Sequence, residues 1–152
     1  DVESRGLGDV YKRQSEDNPD LAETYLQKAL KIDPEDQGNM LAWSNFLVQE
    51  ERDQENIDFL SRIDQSGDVD PQIYWNMAKS YDRLDNVQKA RENYLLAFNR
   101  FQDSPDFLHD LIDFFQSTGA RTELKAALVR YLKLVPTDDE MQMRLDDLND
   151  ET

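Results

Sequence analysis

The chain has 152 residues, with 33 acidic and 17 basic side chains, a net charge of −16 at neutral pH and no cysteine. The lack of cysteine excludes disulfides, thiolate metal sites and cysteine nucleophiles, and the negative charge disfavours nucleic acid and anionic membrane surfaces as partners. No apolar run approaches the roughly 18 residues that a membrane-spanning helix needs and the start lacks a signal peptide's apolar centre, so we expect a cytoplasmic protein.

Residues 1–14 resemble translated adapter or linker sequence, and we expect them to be a non-native or atypical N-terminal segment. An alternative interpretation, that this segment belongs to the repeating pattern, stays open. Leu7, Gly8 and Tyr11 have the same spacing as residues of that pattern further along the chain. Under either interpretation the repeating pattern begins part-way through a unit. We therefore expect the chain to be a fragment of a longer protein.

The first part of the pattern covers residues 15–36, where apolar residues recur at spacings of three and four, as on one face of a helix. Asp20 followed by Glu23 predicts where this helix begins, and Pro34 closes it. The residues of the apolar face are Ala22, Leu26 and Ala29.

Residues 37–70 predict two helices, but the second departs from the pattern of the other units. Asn56 stands where the later units have a small or aliphatic apolar residue, and residues 50–55 make the turn between the helices strongly charged. We expect the second helix, which carries Leu60 and Ile63, to be displaced or less stable.

Residues 71–104 hold the clearest version of the pattern, and residues 105–138 repeat it after a shift of 34 positions. In the first of these units the key residues are Met77, Ala78, Tyr81, Ala90 and Tyr94, and in the second they are Leu111, Ile112, Phe115, Leu124 and Leu128. Pro34 and Pro136 are three such periods apart. A match at successive registers indicates a true internal repeat.

Residues 139–152 carry apolar residues at helical spacing among many carboxylates, namely Met141, Leu145 and Leu148. We interpret this segment as an acidic capping helix that covers the last apolar face of the array.

Spacings such as Met77-Ala78-x-x-Tyr81 followed by Ala90-x-x-x-Tyr94 resemble those of the tetratricopeptide repeat family, over about residues 20–136. The resemblance implies an all-α solenoid of antiparallel helix pairs with a 34-residue period, wound as a right-handed superhelix with a concave groove. The units would be 15–36 (partial), 37–70, 71–104 and 105–138.

Residues that could carry catalysis or bind a metal or cofactor are scarce. His109 is the single histidine, lies inside a predicted helix and has no nucleophile motif near it. Asp106, Asp110 and Asp113 share one helix face, but a hard-cation site usually needs a loop that wraps the ion. With no glycine-rich phosphate loop either, we predict no enzyme activity, no metal and no cofactor.

The family resemblance places a partner-binding groove on the first helix of each unit. The residues that it assigns to the groove are Leu41, Asn45, Val48, Trp75, Asn76, Lys79, Arg83, Asp106, His109, Asp110 and Asp113. The groove would run from an apolar end, past Trp75, to an acidic end. Trp75 is either the anchor for a ligand or a residue that packs between units.

Family members that bind acidic chaperone tails use a clamp of lysine, asparagine and arginine side chains, so the matching positions test that function. These positions hold Leu41, Asn45, Asn76, Asp106 and Asp110. Both asparagines fit, but all three cations are missing. We therefore predict that the chain does not bind an acidic C-terminal chaperone tail.

These observations predict a protein-interaction scaffold that binds a peptide or helix with an apolar anchor and a basic end. The alternative is a structural or oligomerising arm of a larger, possibly enzymatic, protein in which the groove is unused.

Overall fold

The computed structural model describes residues 18–64 and 66–151, which form eight α-helices. They are α1 (Pro19–Ile32), α2 (Gln37–Gln49), α3 (Asp53–Leu60), α4 (Pro71–Arg83), α5 (Val87–Phe101), α6 (Pro105–Thr118), α7 (Arg121–Leu134) and α8 (Asp139–Asp150). The described residues contain no strand, so the predicted all-α class is confirmed. Within the same ranges, no helix is long and apolar enough to cross a membrane. Residues 1–14 lie outside the described part of the chain.

Side-chain oxygens cap most of the helix N-termini, and the cap of α1 corrects one prediction. Asn18, whose side-chain oxygen accepts a backbone N–H at 3.2 Å, begins this helix, so Asp20 is in the first turn and is not the cap. Pro19 occupies the first helical position, where its fixed φ suits the helix and its missing N–H costs nothing. The proline therefore sets the start of the helix two residues earlier.

The turn between the first and second helix of each full unit uses a residue in the left-handed backbone region. Glu51, Asp85 and Gly119 have φ values of 56°, 57° and 71°, and each is 34 positions from the next. Only glycine adopts this conformation without a steric cost from Cβ. The same turn is therefore built three times, at Gly119 with the favoured residue and at the other two positions against preference.

Consecutive helices pack around two apolar clusters that together fill the array. The smaller cluster joins α1, α2 and the side chain of Phe59, and the larger one runs from α3 to α8. Phe59 contacts both clusters, so the apolar interior continues along the whole described array. Met141 of α8 is 1% exposed and closes the C-terminal end.

Aromatic rings fill the contact between α4, α5 and α6, which we call the aromatic seam (Trp75, Tyr94, Phe101, Phe107 and Phe114). The ring of Phe107 lies 5.3 Å from Trp75, 5.7 Å from Phe101 and 6.0 Å from Tyr94 between centroids. Phe114 lies 5.1 Å from Tyr94 on the other side. Burial, with smaller contributions from nearby carboxylates, raises the pKa of the Tyr94 phenol above its usual range.

Four polar side chains form one part of the corresponding contact between α3 and α4, and we call this part the polar seam (Asp53, Asn56, Ser80 and Arg83). Asn56 is fully buried and donates through Nδ2 to Ser80 Oγ at 2.9 Å, and that hydroxyl donates to Asp53 Oδ1 at 2.8 Å. The Oδ1 atom of Asn56 accepts no hydrogen bond from the described residues. α3 has 8 residues, against 15 in α5 and 14 in α7, so it is the shortest of the second helices in the full units.

Candidate partner-binding groove

Two neighbouring clefts lie on the face formed by the first helices of the units. The first cleft, between α2 and α4, has a volume of about 510 Å³, and the second, between α4 and α6, about 420 Å³. The first is lined by Asn45, Val48, Gln49, Gln72, Trp75, Asn76, Lys79 and Arg83. The second is lined by Trp75, Lys79, Pro105, Asp106, His109, Asp110 and Tyr131. Because both clefts share Trp75 and Lys79, they form one continuous surface.

Trp75 forms part of the wall that the two clefts share, and its contacts fix its side chain in place. Its indole N–H donates to Asp110 Oδ2 at 2.9 Å, and its ring contacts Phe101 at 5.1 Å and Phe107 at 5.3 Å between centroids. The ammonium of Lys79 lies 5.9 Å from the ring centroid and 3.7 Å from Asp110. Trp75 therefore packs between units and also presents the rest of its half-buried ring to the clefts.

Below the first cleft, buried hydrogen bonds fix the side chain of Asn76. This residue is 3% exposed and donates to Ser44 Oγ at 2.9 Å and to Asn45 Oδ1 at 2.7 Å. Gln72 donates to Asn76 Oδ1 at 3.0 Å. Asn76 thus serves to join α2 to α4, while Asn45 stays exposed at the surface.

Arg83 closes the far end of the first cleft. Its guanidinium donates to the carbonyl oxygen of Val48 at 2.7 Å and to Asp53 Oδ1 at 3.3 Å. Burial raises the pKa of the neighbouring Asp82, with a further increase from Asp85 and a partial offset from Arg83. The arginine therefore links the cleft wall to the polar seam below it.

The three aspartates of α6, which we expected to form the acidic end of the groove, are partly neutralised by basic side chains. Asp110 accepts from Trp75 and faces Lys79, and Asp113 accepts from Arg144 of α8 at 2.9 Å. Asp113 also lies 3.4 Å from His109 Nδ1. Among the described residues, only Asp106 of the three has no ion pair, so the acidic character of the second cleft is weaker than expected.

The predicted groove residues are not all in the clefts. Leu41 lies in a neighbouring depression of about 590 Å³, beside Val69 and Phe101, and Asp113 is outside the lining of both clefts. Tyr131 was missed because it belongs to the second helix of its unit, whereas the family pattern assigns the groove to first helices. Its hydroxyl donates to Asp138 at 2.8 Å.

Groups of histidine and acidic side chains arranged to hold a metal ion do not occur within residues 18–64 and 66–151. His109 is half exposed and its contact is the carboxylate of Asp113. The side chains that line the two clefts are among these described residues and form no such group.

Two family models match this sequence. Residues 71–138 match the YpiA-like C-terminal tetratricopeptide repeats, and residues 6–36 match the tetratricopeptide repeat. The chain belongs to the tetratricopeptide repeat family. The second match begins inside residues 1–14, whose two interpretations both stay predictions.

One curated relative of this tetratricopeptide chain is the TPR repeat-containing protein YpiA of Bacillus subtilis (strain 168), which is 26% identical over 129 residues. The alignment covers 83% of this chain but 30% of the relative, so the chain spans less than a third of that protein's length.

Solved structures show the same fold at low sequence identity. The structure of MamA has a TM-score of 0.78 at 15% identity and covers 97% of this chain and 81% of its own. TTC0263, a thermophilic TPR protein of Thermus thermophilus, has a TM-score of 0.77 at 16% identity, covering 95% and 80%. YrrB, described as a TPR protein with an unusual peptide-binding site, has 0.72 at 13%, covering 93% and 74%.

Proposed function

We propose that the chain is a protein-interaction scaffold whose two clefts hold an extended peptide with an apolar side chain and, a few residues along, a lysine or arginine. The observation that carries this proposal is the continuous surface that the clefts form through Trp75 and Lys79. Repeat arrays use extended surfaces of this kind to bind partners, and the description of YrrB names a peptide-binding site in that protein. The cytoplasmic location expected from the composition is part of the same proposal.

The first cleft suits an apolar side chain with its flanking backbone. Val48 and the ring of Trp75 supply apolar surface, and the amides of Asn45 and Gln49 are exposed beside them. An extended peptide needs partners for its own N–H and C=O groups. A side-chain amide can both donate and accept, so this cleft can bind backbone and side chain together.

The second cleft suits a basic side chain. Asp106 is exposed and has no ion pair among the described residues, and Asp110 adds a carboxylate that Lys79 only partly offsets at 3.7 Å. Neighbouring helix axes are about 8–10 Å apart and an extended chain advances about 3.3 Å per residue. The basic residue should therefore follow or precede the apolar one by roughly two to three positions.

Selection from a library of displayed random peptides tests the proposal. We expect enrichment of peptides in which an apolar or aromatic residue and a lysine or arginine stand at this spacing. Binding of a selected peptide, measured by fluorescence anisotropy, should weaken by about 2 kcal/mol or more for Trp75→Ala. Asp106→Asn should weaken it by roughly fivefold at most, because an exposed ion pair contributes little.

A second variant avoids the structural contacts of Trp75. Gln49→Trp adds bulk to the first cleft at an exposed side chain and removes no described hydrogen bond, so it should block the peptide while the fold is unchanged. Gln88→Trp places the same bulk on the exposed surface of α5, outside both clefts, and serves as the control. Equal binding by both tryptophan variants would favour the structural-arm alternative.

A further inference from the structure

A third cleft, of about 910 Å³, lies between α5 and α7, on the second helices of the two units that match the family best. Its walls and floor are mostly apolar. The apolar lining comprises Leu95, Phe98, Leu111, Phe115, Ala126, Ala127, Val129 and Leu134. Leu111 and Phe115 of α6 are 3% and 5% exposed and form the floor.

The upper edges of this α5–α7 cleft leave large apolar side chains in solvent. Leu95 is 54% exposed, Val129 37% and Leu134 40%. Scattered exposed apolar residues need no explanation, but neighbouring ones around a cleft are typical of an interaction site. No helix of the described chain covers this edge.

Polar bridges tie α5 to α7 on either side of the apolar stretch. Arg91 donates to Glu123 at 2.8 Å near one end. Arg130 donates to the carbonyl oxygen of Gln102 at 2.7 Å and to Asp103 at 3.2 Å near the other. Both acidic residues of the lining are therefore already paired with arginine.

The charge of this side of the molecule is opposite to that of the whole chain. α5 carries three basic residues and one acidic residue, and α7 carries four and one, whereas the chain has a net charge of −16. Lys125 and Lys133 line the cleft on either side of Val129, and neither forms an ion pair with any residue that the structure describes. Two uncompensated cations thus flank the apolar edge.

We propose that the α5–α7 cleft binds an acidic amphipathic helix of a partner protein. The paired carboxylates and free lysines favour an acidic occupant by charge complementarity. A helix is favoured over an extended peptide because the apolar side chains that dominate the lining offer no partner for an exposed backbone, and a helix satisfies its own N–H and C=O groups. In this the cleft differs from the first cleft, where exposed amides can bind an extended backbone.

The spacing of the two lysines defines the partner more closely. They are eight residues apart on α7, which corresponds to about 12 Å at about 1.5 Å per residue. Acidic residues about two turns apart on the partner helix would face them. Apolar residues at i, i+3 and i+4 between those acids would insert beside Leu95 and Val129.

The test uses a fluorescein-labelled helical peptide that carries this apolar stripe with two matched glutamates, and a second peptide with lysines in their place. Anisotropy should show binding of the glutamate peptide alone. Lys125→Glu with Lys133→Glu should weaken it by about tenfold or more and restore binding to the lysine peptide. Leu95→Glu, at a half-exposed position, should remove binding with the circular dichroism spectrum unchanged.

Lys28→Glu with Lys31→Glu is the matched control, because it changes the charge equally at exposed positions of α1. The proposal would be contradicted if this control lost as much affinity for the glutamate peptide as the Lys125 and Lys133 variant, or if the parent chain bound the two peptides equally well. Sedimentation of the unliganded chain tests a second copy as occupant, and self-association that Leu95→Glu abolishes would also overturn it. Binding of this peptide alongside a peptide selected on the first two clefts would show that the surfaces are independent.

Discussion

The polar seam between α3 and α4 and the aromatic seam between α4, α5 and α6 occupy equivalent places in successive units but are built from opposite chemistry. Asn56 and Ala90 are 34 positions apart, and so are Ser80 and Phe114. In the polar seam two small polar side chains meet at 2.9 Å. In the next unit the equivalent positions hold a small alanine and a large phenylalanine, both of which are buried. The same two repeat positions therefore hold a hydrogen-bonded pair of polar side chains in one unit and an apolar pair with one large ring in the next.

The difference between the seams bears on stability. A buried hydrogen bond contributes about 1 kcal/mol net, and an unpaired buried acceptor such as Asn56 Oδ1 costs about 1–3 kcal/mol. An aromatic pair contributes about 0.5–1.5 kcal/mol beyond its buried area. In a repeat array, stability is approximately a sum over units and their interfaces. We therefore expect the part that contains α1–α3 to unfold at lower denaturant than the part that contains α5–α7.

The largest effect is expected from Phe107→Ala, which breaks the aromatic seam. Phe107 is fully buried and its ring contacts three other aromatic residues of the seam. The variant should lose about 3–5 kcal/mol of unfolding free energy in chemical denaturation. Leu96→Ala, at a 57% exposed position of the neighbouring helix, is the control and should lose little. A small loss for Phe107→Ala would mean that the aromatic contacts do not dominate this half.

A smaller effect is expected from Ser80→Ala, which breaks the polar seam. It removes the acceptor for Asn56 Nδ2 and a donor to Asp53, so the unfolding free energy should fall by about 1–3 kcal/mol. Adding Asn56→Leu removes the unsatisfied amide, and the double variant should recover part of the loss. If the two changes are additive and no stability returns, the seam is held by packing alone and the comparison with the aromatic seam fails.

The smallest effect is expected from acid, at the C-terminal border of the larger core. The backbone N–H of Met141, and then the hydroxyl of Tyr131, lower the pKa of Asp138 by hydrogen bonding to its carboxylate. A carboxyl whose pKa is lowered in the folded state stabilises it above the ordinary carboxyl pKa, and this contribution is lost as pH falls through the folded value. As pH falls below the ordinary carboxyl pKa, the melting temperature of Asp138→Asn should decrease less than that of the parent chain. Asp139→Asn, exposed and without a described hydrogen bond, should keep the parent profile.

The sequence could predict the helices and their period because both depend on local spacing. The departure at Asn56 was recognised from residue type and position alone. The side-chain pairs of the groove could not be predicted in the same way. The contacts of Asp110 with Trp75 and of Asp113 with Arg144 join residues 35 and 31 positions apart, and they depend on how successive helices stack.

The α5–α7 cleft also could not be predicted from the sequence. The family pattern describes only the residues that pack within the array. Leu95 and Val129 lie outside that pattern on second helices, so the pattern does not say whether their side chains are covered or exposed. The short length of α3 had a partial signal in Asn56, but its hydrogen-bond partner Ser80, 24 positions away, depends on how α3 and α4 stack.

The left-handed residues at Glu51, Asp85 and Gly119 have a consequence for protein engineering. They recur with the period of the repeat whatever side chain occupies them, so they mark joints at which one unit can be exchanged for another. A longer array could be assembled by inserting copies of residues 85–118, since the backbone conformation at both ends of the insert would already match. Glycine would be the residue to place at every joint, because it adopts this conformation without the roughly 1–2 kcal/mol that a side chain adds there.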